Sequence, residues 1–176
     1  MCEIEIRTDR LLLRQWRDED LPHLVAMNRE PSVMEFVGPI LSDDQSKAMM
    51  ERSRQSWNER GYGRFAVEVP GVADVIGFIG LAATRFESHF TPCVEIGWRL
   101  SSRYWGHGYA TEGAKAVMDH AIRVLGLSEI VSFTAAANLR SRRVMEKIGL
   151  RRDPTDDFEH PNFSPGDPLK PCVLYR

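Results

Sequence analysis

The stretch Arg103-Tyr104-Trp105-Gly106-His107-Gly108-Tyr109-Ala110-Thr111-Glu112 joins two segments of different character. Before it lies the apolar-rich run Val94 to Leu100, and after it Ala110 to Leu125 carries apolar residues at helical spacing. A strand, a glycine-spaced turn and a helix in that order leave backbone N–H groups unpaired at a positively polarised helix end. Such an end takes anions, phosphate and pyrophosphate foremost. Gly106 and Gly108 let the chain pass close to a ligand with no Cβ in the way.

Two common phosphate templates fail here. The dinucleotide fingerprint G-x-G-x-x-G meets Thr111 at its sixth position, and no strand with a trailing acid follows. A P-loop requires Lys-Ser/Thr after its last glycine, where this chain has Tyr109-Ala110. A third template, R/Q-x-x-G-x-G/A, is filled by Arg103, Gly106 and Gly108. With it the chain resembles the GNAT superfamily of acetyl-CoA-dependent N-acetyltransferases. Asn138-Leu139-Arg140-Ser141-Arg142-Arg143-Val144-Met145-Glu146-Lys147-Ile148-Gly149-Leu150 is similar to that family's N-x-x-S/A-x-x-V/L-x-x-K-x-G-F/L helix. The opening Thr8-Asp9-Arg10-Leu11-Leu12-Leu13-Arg14 resembles the first strand of its RimJ/RimL-like branch, which acetylates ribosomal-protein N-termini.

The resemblance implies an α/β (mixed α+β) fold: a mostly antiparallel twisted sheet, one central parallel strand pair splayed around acetyl-CoA, and helices on both faces. It also implies the cofactor contacts. Pyrophosphate would sit on the N–H groups of Gly106, His107, Gly108, Tyr109 and Ala110, with Trp105 and Thr111 at the ends of the loop and Arg103 adding charge. Pantetheine would run beside Trp98, Arg99 and Leu100 like an added strand, with Asn138, Ser141 and Lys147 on the facing helix.

Composition bounds the rest. The chain has 176 residues, enough for one domain with a real core, with 43% hydrophobic and 27% charged residues. A net charge of −2 argues against a general grip on nucleic acid, which needs a basic face. The run Val75 to Ala83 is far short of the roughly 20 apolar residues of a membrane span. Glu3, Glu5, Arg7 and Asp9 make the N-terminus unlike a secretory signal. Cys2, Cys93 and Cys172 lack metal-ligand spacing and suit a reducing compartment. His23, His89, His107, His120 and His160 show no helical ligand pairing, so no metal is expected. The expectation is a cytoplasmic protein, monomer or homodimer, whose partners are acetyl-CoA and an amine, with no nucleic acid and no membrane.

Along the chain, Leu11 to Leu13 read as a short strand, and Asp18-Glu19-Asp20 as the acidic first turn of a helix through Leu21, Leu24, Val25 and Asn28. Ser42-Asp43-Asp44-Gln45 is a capping box for a helix reaching about Arg60 before Gly61. Phe65 to Val69 and Val75 to Leu81 form a hairpin around Pro70-Gly71. Cys93 to Leu100, Ile130 to Ala135 and Pro171 to Tyr175 are further strands. Residues 153 to 171, with Pro154, Pro161, Pro165, Pro168 and Pro171, read as a long loop.

Moving an acetyl group from a thioester to an amine requires a held thioester, a neutral amine and a stabilised thiolate. Strand alternation puts Val94, Ile96 and Trp98 on one face and Glu95, Gly97 and Arg99 on the other. Glu95 is the candidate base, and the plain alternative pairs it with Arg99. Glu112, in the first turn of the next helix, reads rather as bracing the loop or complementing the dipole. Many superfamily members donate to the thiolate from a Tyr seven residues after the motif Asn. Here that position is Met145, and Ser141, one turn earlier, is the candidate donor. Asn138 also suits a helix cap.

The acceptor is open. Asp153, Asp156, Asp157, Glu159 and Asp167, with no Lys or Arg between them, would draw a cationic acceptor if they line its cleft. An α-amine, with a pKa of about 8 against about 10.4 for lysine, suits a modest base. A protein or peptide N-terminus is therefore the favoured acceptor. An aminoglycoside or polyamine-like acceptor, or a non-catalytic acetyl-CoA sensor, are the alternatives.

Overall fold

The computed structural model describes residues 4–176; Cys2 and Glu3, used above for compartment and targeting, lie outside them. Strands β1 (Ile6–Arg7), β2 (Leu12–Arg14), β3 (Arg64–Val69), β4 (Ala73–Ala83) and β5 (Val94–Leu100) pair antiparallel in that order. Between β2 and β3 lie α1 (Leu21–Asn28), α2 (Pro31–Met34) and α3 (Asp43–Arg60). After β5 come α4 (Tyr109–Arg123), β6 (Ser132–Ala135), α5 (Leu139–Lys147), β7 (Phe158–Glu159) and β8 (Pro171–Tyr175). The last three strands form a second sheet, ordered β6-β8-β7.

Each face of the first sheet is covered for a reason visible in its side chains. Leu13, Phe65, Val67 and Ile79 turn to α4, whose Ala114, Val117 and Ala121 are fully covered. Ala66, Val75 and Phe78 turn the other way, to Leu24 and Met27 of α1 and Met49 and Met50 of α3. Burying one such aliphatic or aromatic side chain stabilises by about 1.5–3 kcal/mol, so these two layers account for the arrangement. The capping box holds as expected: Ser42 Oγ accepts from the Gln45 N–H at 3.2 Å, and Gln45 Oε1 accepts from the Ser42 N–H at 2.8 Å.

Three expectations change. The acids Asp18–Asp20 form a 3-10 turn ahead of α1, and Asp20 is buried there against Arg14 at 2.7 and 2.9 Å. The bidentate ion pair, not a helix dipole, holds that carboxylate. The proline-rich segment is not loop throughout: Phe158 and Glu159 pair with Cys172 and Pro171 as β7. Phe158 is drawn in by an aromatic cluster with Phe86, Phe90 and Phe133. Finally, Ile130 stays outside the strand that starts at Ser132, because the chain changes partners there. No helix among the described residues is long and apolar enough to cross a membrane.

Candidate functional site

The site begins where the two sheets meet. Val131 lies parallel to Glu95: the Ile96 N–H donates to the Val131 carbonyl at 2.8 Å, and the Val131 N–H to the Val94 carbonyl at 2.9 Å. Ser132 Oγ then donates to the Ile96 carbonyl at 2.9 Å, and β6 leaves β5 to pair with β8. The alternation of backbone groups aims the N–H and C=O of Trp98 at the opened side. β5 therefore presents a free strand edge to a cavity of about 330 Å³, walled by Trp98, Leu100, Ala110, Asn138 and Ser141 among others.

One end of this cavity is the glycine loop. Gly106 and Gly108 have φ of 81° and 83°, a left-handed conformation that side-chain-bearing residues adopt only at a cost. Gly108 is also the N-cap of α4, with no side-chain hydrogen bond on that end, so the first N–H groups of the helix are free for a ligand. The loop is staked at both ends. Glu30 accepts from Ser101 Oγ at 2.5 Å and from the N–H and Oγ of Ser102 at 3.0 and 2.5 Å. Glu112 accepts from Thr8 Oγ1 at 2.7 Å and from the Arg10 N–H and Nε at 3.0 and 2.7 Å. Arg10 Nη1 in turn donates to the His107 carbonyl at 3.0 Å. Burial alone would raise both carboxyls, but these hydrogen bonds outweigh it and hold Glu30 and Glu112 below the usual carboxylate range. Glu112 is thus a brace.

Of the residues picked from the sequence, the cavity wall gathers Trp98, Arg99, Leu100, Trp105, Gly106 and Gly108, then Tyr109, Ala110, Thr111, Asn138, Ser141 and Lys147. Arg103 and His107 lie off it. Arg103 stacks on Tyr104 at 4.7 Å, and His107 on Tyr109 at 5.5 Å. The wall's other cations are Arg140 and Arg143, which sequence reasoning missed. Their place inside the matched α5 motif, one and two residues either side of Ser141, was the available signal. Arg140 lies over the Trp105 ring at 4.2 Å, and the Trp105 Nε1–H donates to the Leu100 carbonyl at 2.8 Å.

A wider cavity of about 640 Å³ adjoins the first, and Trp98, Arg99, Asn138 and Ser141 border both. Glu95 lies in the wider one only. Its half-buried carboxyl is pushed up to about 7 by burial, against the pull of Arg64 and Arg99. The expected alternative partner is otherwise engaged: Arg99 Nη1 donates to Asn28 Oδ1 at 2.7 Å. Arg99 is itself lowered to about 10, by burial first and Arg64 second. Asn138 caps α5 through Oδ1, which accepts from the Ser141 N–H at 3.2 Å, and its Nδ2 donates to Thr134 Oγ1 at 3.0 Å. That cap fixes Ser141 at the junction of the two cavities, while Met145 is buried in the core.

The acidic loop lines the wider cavity through His160, Phe163 and Leu169 and not through its acids, which are consumed locally. Asp153 accepts from the Thr155 N–H at 2.9 Å, Asp167 from the Leu169 N–H at 2.8 Å, and Asp156 from Arg176 at 2.9 Å. Asp157 pairs with Arg152, and Glu159 with Lys170 at 3.5 Å. The cleft is lined instead by five arginines, the opposite of the sequence expectation. No cluster suited to a metal ion occurs among the described residues.

Residues 10–151 match the family described as the Acetyltransferase (GNAT) domain. The chain is 28% identical over 151 residues to the N-acetyltransferase YnaD of Bacillus subtilis (strain 168), covering 85% of this chain and 84% of that one. It is 29% identical over 152 residues to the FsC-acetyl coenzyme A-N(2)-transacetylase of Aspergillus fumigatus, covering 82% of this chain and 64% of that one. The crystal structure of an acetyltransferase from Agrobacterium tumefaciens superposes with a TM-score of 0.79 at 27% identity, over 98% of this chain and 94% of that one.

Proposed function

This chain belongs to the GNAT acetyltransferase family and is an acetyl-CoA-dependent N-acetyltransferase, and from that premise we propose that it acetylates a primary α-amine by direct transfer, with Glu95 as base and Ser141 as donor to the departing thiolate. One observation carries this: the carboxyl tuned to about 7 and the free end of the β5 edge meet at the same fork, where β6 departs. Within the family we place the chain beside the branch that acetylates ribosomal-protein N-termini, on Ser141 and the Thr8 to Arg14 opening. The relative from Aspergillus is named for transfer to a nitrogen, N(2), which accords with an amine acceptor.

The residues divide the work. The free N–H groups of the Gly108–Thr111 turn, with Arg143 and Lys147 nearby, take the pyrophosphate. The open edge at Trp98 receives the pantetheine amides as a strand would. Positioning of this kind is worth about 7–11 kcal/mol of barrier. Glu95, ionised, takes the proton from the incoming ammonium, directly or through a water, and the freed amine attacks the thioester carbonyl. When the C–S bond breaks, the sulfur carries the electron pair, and Ser141 Oγ–H donates to it. Ser141 does not need to give up its proton; the second proton, lost from nitrogen as the adduct collapses to the amide, balances the thiolate.

Thiol release from acetyl-CoA tests the assignment. Ser141→Ala should lower kcat about tenfold to a thousandfold, the scale of one lost oxyanion-type donor. The KM for acetyl-CoA should barely move, because the loop and the β5 edge are untouched. Full turnover in the folded variant would remove Ser141 from the mechanism.

A further inference from the structure

The wider cavity holds charge that acetyl transfer does not use. Arg52 and Arg60 from α3, Arg64 from β3, Arg85 beyond β4 and Arg99 from β5 line it, against only Glu59 and Glu95. None of these five arginines forms an ion pair among the described residues. Other arginines are paired, Arg10 with Glu112, Arg14 with Asp20, Arg54 with Asp18 and Arg152 with Asp157, while Arg17, Arg103, Arg142, Arg143 and Arg151 are not paired among the described residues but lie scattered rather than gathered in one cleft.

Arg64 is the sharpest case. Its Nε is buried with no hydrogen-bond partner, and its guanidinium lies over the Phe78 ring at 5.0 Å. Arg99 lies over the same ring at 5.3 Å but has Asn28 to bond. Arg52 is pulled down by burial and then by Arg85 and Arg64. Arg64 is pulled down by burial and by Arg85, with Glu95 opposing. Arg64 is partly buried while Arg52 and Arg85 are exposed at the cleft mouth, so three like charges converge where an anion would relieve their repulsion. Guanidinium forks match a carboxylate in shape as well as charge.

We propose that the acceptor is an α-amine that carries a carboxylate, which Arg52, Arg64 and Arg85 seat while its amine reaches Glu95. This rests on the acetyl-transfer reading of Glu95. Arg64 and Glu95 are close enough to perturb each other, so one acceptor with an ammonium and a carboxylate meets both. The carboxylate can belong to a free amino acid or to an acidic residue opening a peptide. Polyamines and aminoglycosides, all positive, would meet the same arginines unfavourably.

Matched acceptors test this. Thiol release is compared for alanine against alaninamide, and for Glu-Ala-Ala-amide against Gln-Ala-Ala-amide. The acid of at least one pair should exceed its amide in kcat/KM by about tenfold to a hundredfold, the scale of one charge-assisted contact. Which pair discriminates identifies the source. In Arg64→Gln, and independently in the exposed Arg85→Gln, that ratio should fall toward one while CoA affinity stays at the parent value. Equal rates within both pairs, or faster turnover of spermidine or an aminoglycoside, overturn the proposal. Calorimetric titration of the N-acetylated products, with CoA present, reads the same preference without turnover. Product acids that bind no tighter than their amides also overturn it. Discrimination between products, with no turnover of any amine, would keep the arginine assignment and discard the acetyl-transfer role of Glu95.

Discussion

Glu95 holds a carboxyl whose two forms are nearly balanced at neutral pH, and that balance governs both rate and stability. Burial raises it from 4.5 to about 7 despite Arg64 and Arg99. Turnover should therefore climb as pH rises through about 7 and level off once the carboxylate is formed. Glu95→Gln should lose most activity near neutral pH and less as solution supplies neutral amine at higher pH. The stability effect has a definite sign. A carboxyl raised on folding gives stability that is complete below about 4.5 and lost as pH rises through about 7. Glutamine does not suffer that loss, so Glu95→Gln should match the parent near pH 4.5 and melt higher at pH 8. Water in the cleft trims the gap to about 2–4 °C, near 1 kcal/mol for a chain of this size. A structural pair with Arg99 predicts the reverse, a lower melting point at pH 8. Melting curves at the two pH values separate the accounts. Glu95 was legible because an acid inside an apolar strand is out of place. Asp20 was misread because its partner Arg14 lies in the preceding strand, and nothing in the acidic run Asp18-Glu19-Asp20 shows a buried ion pair.

At the scale of elements, the glycine loop joins a local requirement to distant support. Positive φ at Gly106 and Gly108 is local, which is why their spacing could be read directly. The stakes at Glu30 and Arg10 could not, since hydrogen bonds across about seventy to a hundred residues leave no periodic trace in sequence. Gly108→Val places a β-branched side chain at φ 83°, with its Cβ 3.5 Å from Arg10 Nη2. Left-handed backbone costs such a residue about 1–2 kcal/mol, too little to unfold the domain but enough to re-aim the first N–H groups of α4. Calorimetry should show CoA affinity lost or cut at least tenfold in a protein that still melts cooperatively. Parent-like affinity would refute the anion site. The acidic loop walls the cleft without its acids for a related reason: its carboxylates find caps and arginines close by.

Across the whole molecule, two sheets are joined along β5 and β6 by two backbone hydrogen bonds around Val131. The parallel pair itself was foreseeable from a helix crossing between two strands. The split was not, because it depends on β8, which takes β6 as its partner from the far end of the chain. A ligand lying along the exposed edge of β5 supplies pairing that the protein lacks there. Acetyl-CoA at a hundredfold its Kd should stabilise the fold by about 2.7 kcal/mol, raising the melting temperature by about 5–10 °C. Hydrogen exchange should show the Trp98 amide among the groups newly protected. A melting point indifferent to acetyl-CoA would argue against a cofactor seated between the sheets.

The position of the Val131 bridge has a consequence for how such an enzyme can change over generations. A ligand threaded into the slot can advance only to the fork, so its depth is set by main-chain atoms that substitution leaves in place. The walls facing the acceptor are side chains of α3, β3 and the segment after β4, free to be exchanged singly. Donor geometry is thereby insulated from drift in acceptor preference, and a lineage can trade one amine for another without rebuilding its hold on the thioester.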